Sequence, residues 1–225
     1  MSFIGTLGEK PWIPQDPGVA VIDNEQQKFN MGRTALKFFL AVVSILFFLF
    51  IITFISRTQY PDFQALAGEP WQPLTNPVAL WINTAVLLAA SFALQWTKIQ
   101  ANKGQVNGLV TGLIAAAFFT LLFLIGQVYV WQQLTELGYF FNSNPANSYF
   151  YLFTSIHGLH ILGGLFTLSY IAIRFVKDGS IAKLSTGISL CTMYWHFLFL
   201  IWIALFALLT SSSETFNTIA LLCGF

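Results

Sequence analysis

Five long apolar runs constrain this chain more than any other feature. They cover roughly residues 36–56, 78–97, 106–134, 148–173 and 184–209, and apart from Lys37 they contain no Asp, Glu, Lys or Arg. Apolar stretches of about 18 residues or more read as membrane-crossing helices. Hydrocarbon offers no water to backbone N–H and C=O groups, so each run must satisfy its backbone internally, as a helix does. Composition agrees: 56% of the 225 residues are hydrophobic and 8% are charged, against about 25% charged in a soluble domain. The expected fold is all-α, an integral membrane bundle of five transmembrane helices.

Between the runs the chain turns polar. Residues 1–34 read as a polar arm, extended around prolines 11, 14 and 17 and carrying Glu9, Asp16, Asp23 and Glu25. That start does not read as a signal peptide, which needs a basic beginning followed at once by an apolar core, so the first span is expected to act as the insertion signal. The loop 57–77 holds four prolines with Tyr60, Phe63 and Trp71, and the loop 136–147 is rich in asparagine. Residues 35–210 form the transmembrane domain. Residues 211–225 form a short tail, too short to span and suited to lie along the interface.

Orientation follows from the basic residues. Lys10, Lys28, Arg33, Lys37, Lys98, Lys103, Arg174, Lys177 and Lys183 fall on one side of the five-span topology and Arg57 alone on the other. The N-terminus is therefore expected in the cytoplasm and the C-terminus in the periplasm.

Several function classes are disfavoured. A net charge of +1 implies no attraction to nucleic acid. Cys191 and Cys223 follow no metal or disulfide spacing. Proton and ion carriers thread ionisable groups through the bilayer, and between their ends these spans have no Asp, Glu, Lys or Arg. No inverted repeat of the transporter kind is visible.

What remains polar inside the spans is the informative part. All three histidines lie in two stretches, His157 and His160 in YLFTSIHGLHILGGL and His196 in MYWHFLFLIW. At the helical rise they sit about 14 to 18 Å from the span ends, near the middle of a core about 30 Å thick. Two readings are open. Histidines on facing helices can ligate haem iron. Alternatively, they hydrogen-bond across a packed interface to Ser155, Thr192, Tyr194 or backbone carbonyls. No carboxylate lies nearby to orient a metal-bound ring. Asn83 and Gln127 read as interhelical hydrogen-bond partners. Gly108 and Gly112 form a GxxxG packing seam, and Gly158, Gly163 and Gly164 leave room for a helix to approach the histidines.

The same stretches resemble subunit III of the haem-copper terminal oxidases, which include cytochrome c and quinol oxidases. The HGxH motif is His157-Gly158-Leu159-His160, and the YWHF motif is Tyr194-Trp195-His196-Phe197 with Trp202 in register. Ile82-Asn83-Thr84 with Leu87 and Leu88 echoes a leucine-asparagine-threonine pattern, and Gly126 to Trp131 resembles a glutamine–aromatic–glutamate segment. The resemblance spans roughly residues 35–210 and matches the five-helix form of the family. Three carboxylate positions of the family pattern are apolar here: Ile45, Val130 and Phe199. This marks a divergent member.

The resemblance implies a non-catalytic subunit with no metal of its own, haem and copper being held by partner subunits. It implies packing against catalytic subunit I and subunit II, within a respiratory supercomplex or outside one, in a bacterial inner membrane. Phospholipid in the helix grooves is also implied, with Trp131, Trp202 and Arg174 as candidate contacts. The polar helix interface would comprise His157, His160, His196, Tyr194, Trp195, Asn83 and Gln127. The competing reading is a haem b-binding anchor of a quinone-linked complex, with His157 or His160 and His196 as ligands.

Overall fold

The computed structural model describes residues 24–67, 74, 77–178 and 181–223. They form six helices: α1 (Asn24–Thr58), α2 (Val78–Asn102), α3 (Val106–Glu136), α4 (Pro145–Asp178), α5 (Ile181–Leu209) and α6 (Ser213–Cys223). The first five are long and apolar enough to cross a membrane, and no strand occurs among the described residues. The chain is an all-helical, multi-pass membrane protein.

Helices α2, α3, α4 and α5 close into a ring, each touching two neighbours in the order α2–α3–α4–α5–α2. Helix α1 stands outside this ring and packs against α5, α4 and α6.

The tightest pair is α2 with α3. Gly104, at φ 69°, ends α2, with Gln105 N–H bonding to Gln100 O and Gly104 N–H to Ala101 O. This is the left-handed helix stop that glycine adopts without steric cost, and it sends the chain straight back. The GxxxG seam then faces α2: a side chain at Gly108 would meet Gln100, and one at Gly112 would overlap Thr97. Gly138, at φ 85°, ends α3 in the same way, with Tyr139 N–H on Leu134 O.

At the same end of the bundle as Gly138, Asn144 starts α4 and holds the 57–77 loop. Its Oδ1 accepts from Ala146 N–H at 3.2 Å, a helix cap with Pro145 at the first helical position. The same oxygen accepts from Gln64 N–H at 3.2 Å, and Asn144 Nδ2 donates to Gln64 O at 2.6 Å. Nearby, Arg57 pairs with Asp62. The hydrogen bond from that guanidinium holds the Asp62 carboxyl below its ordinary range. Phe54 packs against Phe63, Tyr149, Phe153 and Phe216, with ring centroids 5.2 to 5.9 Å apart. This aromatic knot joins α1, α4, α6 and the loop.

Two boundaries differ from the sequence expectation. Helix α1 begins at Asn24, so residues 24–34 are helical, while residues 1–23 of the expected arm lie outside the described residues, as do Pro70, Trp71 and Pro73 of the loop. The tail is a helix docked on the bundle, with Phe216 only 2% exposed. Its apolar residues recur at helical spacing, so they gain more from the Phe54 knot than from an open interface.

Candidate functional site

Polar side chains inside the ring sit where two helices meet. On α2 the buried face carries Asn83, Thr84, Leu87, Ala90, Ser91 and Leu94, spaced three and four apart as one helix face requires. Asn83 Nδ2 donates to Gln127 Oε1 on α3 at 3.1 Å. The approach depends on Gly126, where any side chain would strike Asn83.

His196 is the histidine that crosses between helices through its ring. Its Nε2 lies 3.3 Å from Gln95 Oε1 and its Nδ1 lies 2.5 Å from Ser91 Oγ. An amide oxygen only accepts, so Nε2–H donates, and in the neutral ring Nδ1 accepts from the Ser91 hydroxyl. Both ring nitrogens are thereby engaged by α2. Thr192, one turn earlier on α5, donates to Ile188 O at 2.8 Å and lies 3.4 Å from Leu94 O on α2.

The other two histidines behave differently. His160 Nδ1 donates to Ile156 O of its own helix at 2.8 Å, and its ring packs 5.7 Å from Phe47 of α1. The cross-helix link at this point is made by its backbone, with Tyr194 O–H donating to His160 O at 2.9 Å. His157 is 0% exposed, with its ring 6.0 Å from Phe123 and 5.2 Å from Trp202. Neither of its ring nitrogens has a partner among the described residues. Ser155, a suggested partner, is exposed. Of the three glycines expected to admit a helix near the histidines, Gly164 stands tight against Tyr194 and Trp195, Gly158 lies at ordinary contact distance from Leu124 of α3, and Gly163 has open space beside it.

A second set of contacts was not legible beforehand. Three tryptophan N–H groups each donate to a threonine on another helix: Trp131 to Thr154 at 3.0 Å and Trp202 to Thr84 at 2.9 Å between ring neighbours, and Trp195 to Thr120 at 3.3 Å across the ring from α5 to α3. Each threonine donates in turn to the carbonyl four residues back, Thr154 to Phe150, Thr120 to Ala116 and Thr84 to Leu80, all at 2.7 Å. Indole donates only, whereas a hydroxyl both donates and accepts, so the pairing leaves neither group unsatisfied in an apolar interior. Trp202 is 1% exposed, which removes it from the lipid-facing surface where it was expected. Trp131 is half-buried, and exposed Arg174 lies over the Tyr170 ring at 5.6 Å.

Among the described residues, no group of three or more His, Cys, Asp or Glu comes together. Cys191 is a buried free thiol. Of the apolar replacements, Val130 is buried, Phe199 is half-buried and Ile45 is exposed.

A family model described as cytochrome c oxidase subunit III matches residues 24–212. The chain belongs to that family. A relative from Mycobacterium tuberculosis, named "Probable cytochrome c oxidase subunit 3", is 32% identical over 153 residues, 67% of this chain and 75% of its own. One from Nocardia farcinica with the same name is 33% identical over 162 residues, 71% of this chain and 76% of its own. One from Thermostichus vulcanus, "Cytochrome c oxidase subunit 3", is 34% identical over 145 residues, 63% of this chain and 71% of its own. The chain is thus a subunit III of a haem-copper oxidase, associated with other oxidase subunits. The haem-anchor reading has no support: the ligand it needs most, His196, already has both nitrogens bonded to α2.

Proposed function

We propose that this subunit III is non-catalytic and acts by packing against catalytic subunit I and subunit II in a bacterial inner membrane. Its N-terminus faces the cytoplasm and its C-terminus the periplasm, since all basic residues except Arg57 then lie inside. Haem and copper belong to the partner subunits. The observation that carries this reading is where the polar groups go. His196, Asn83, Gln127 and the three tryptophan–threonine pairs turn inward and bond within the chain, leaving an outer surface of apolar side chains.

That outer surface suits partners and lipid. On α1, Phe38, Ile45 and Phe48 are all more than half exposed. They lie on a helix that the ring covers on one side only, so a neighbouring subunit would bury them. Arg174 and Trp131, near the ends of their helices, are suited to phospholipid contact. Such a scaffold protects the catalytic subunit during turnover without taking part in electron transfer.

The test is purification of the complex through a tag on this chain. A haem-copper catalytic subunit is expected to co-purify, and complexes stripped of this chain should start at full rate but lose oxygen uptake sooner. Purification with no haem-copper partner would overturn the proposal.

A further inference from the structure

We infer that the segment preceding α1 folds back and seats the carboxylate of Asp16 in the cleft between α1, α2 and α5, where Arg33 and Lys98 face it from two helices. The cleft holds about 340 Å³, with Gln95 and His196 also lining it. It exists because α1 touches α5 but not α2. Gly32 brings α1 close to Leu190 of α5. Among the described residues, α1 and α2 are the only consecutive spans out of contact.

Charge calls for an anion. Arg33 and Lys98 line the cleft, and no described Asp or Glu lines it with them. Neither cation makes an ion pair or hydrogen bond with another described residue. The Arg57–Asp62 pair is at the opposite end of the bundle. A guanidinium and an ammonium facing one space can both donate to a single carboxylate, which has acceptor sites for each.

Reach and turn chemistry select the carboxylate. Residues 1–23 carry Glu9, Asp16 and Asp23 against Lys10. Asp16-Pro17-Gly18 has the residues of a type II turn, in which proline fixes the second position and glycine takes the positive φ of the third. A chain that reverses there presents Asp16 at its tip. Arg33 stands nine residues after Asn24, the first residue of α1, about 14 Å along the helix axis. Asp16 is eight residues before Asn24, a length that spans up to about 26 Å. It therefore reaches the cleft with chain to spare for the crossing towards Lys98. Asp23 adjoins the helix start and cannot turn back so far, and Glu9 has Lys10 beside it. A carboxylate on so short a tether has a local concentration on the order of millimolar, which favours it over a free anion of the same charge.

The result is a clasp from α1 to α2 made by this chain alone. It goes beyond the packing role proposed above and does not depend on it.

The experiment treats the intact oxidase complex with a water-soluble carbodiimide, which joins a carboxylate to an amine only where the two touch. Crosslinked tryptic peptides are read by mass spectrometry. An Asp16–Lys98 crosslink is expected, absent in Asp16→Asn and kept within about twofold in Asp23→Asn. Arg33→Gln, at an exposed position, should lower its yield by up to about fivefold, the worth of one exposed ion pair. Lys37→Gln removes the same charge outside the cleft and should change the yield less than about twofold. Exchanging the charges, Asp16→Lys with Lys98→Asp, should restore a crosslink between the two positions that neither single variant gives. Crosslinking of Lys98 to a carboxylate of another subunit would overturn the inference, since a partner chain would then be the occupant. So would crosslinking of Asp16 to Lys103 as efficiently as to Lys98, and so would a wild-type complex in which Asp16 and Lys98 do not join.

Discussion

The hydroxyl of Ser91 lies 2.5 Å from Nδ1 of His196, joining two helices that are far apart in sequence. With Gln95 on the other nitrogen, the ring holds α5 against α2 at the point where the bundle closes. His196→Ala would leave both partners unpaired, at a cost of about 1–3 kcal/mol. The purified complex should melt earlier while oxygen uptake per haem stays unchanged. Normal melting with abolished oxygen uptake would point to a direct redox role.

His157 calls for a different pair of substitutions. Its ring fills space between Phe123 and Trp202, and its nitrogens find no partner among the described residues. His157→Phe keeps the ring and removes two unpaired polar atoms, so it should be neutral or stabilising. His157→Ala opens a cavity and should cost about 3 kcal/mol. Thermal unfolding of the two variants in parallel separates packing from bonding. Equal destabilisation by both would mean that the nitrogens are bonded after all.

Gly126 admits Asn83 to Gln127. Gly126→Ala should force α2 and α3 apart or break the amide pair, costing about 1–3 kcal/mol as overpacking does. Asn83→Ala in the same background should recover part of that loss, because it removes the side-chain atoms that the added Cβ would overlap. A double-mutant cycle on thermal stability measures the coupling, and strictly additive effects would contradict the contact.

The tryptophan–threonine pairs predict a graded response. Trp202→Phe keeps an aromatic ring beside His157 but loses the bond to Thr84, and should cost about 1 kcal/mol or slightly more. Thr84→Val removes the acceptor and should cost a similar amount. Combining the two should cost less than the sum, since no partner is then left unpaired. Additive losses in chemical denaturation would show that the pair is not a bond.

Gly164 is in van der Waals reach of Tyr194 and Trp195, and an added Cβ would stand 2.8 to 2.9 Å from their rings. Gly164→Ala should therefore loosen α4 from α5 by about 1–3 kcal/mol. Gly163→Ala, with open space beside it, should leave assembly yield unchanged. Equal yields of both variants would contradict the packing described.

The number and order of the spans could be read from the chain alone, because lipid admits little except long apolar helices; their ends could not, and α1 starts at Asn24. Gly108 and Gly112 likewise marked a packing seam in the sequence, but its partner, α2 through Gln100 and Thr97, emerged only in the folded bundle. The motifs around His157 and His196 pointed to the family. Which side of each helix faces which neighbour is settled only in the folded bundle. In water, an amphipathic stripe reveals the buried face; in a membrane both the core and the lipid are apolar, so the stripe fades. Nothing in the spacing of His157, His160 and His196 told which ring would cross to α2, which would bond its own helix and which would lie between aromatic rings. Nor did it tell that Trp202 would be interior, that Thr120 and Thr154 would receive indole N–H groups, or that Phe216 would fold back on Phe54. Those outcomes depend on how five nearly uniform cylinders rotate against one another. Small residues and hydrogen bonds fix that rotation, and only the assembled bundle brings their partners within reach.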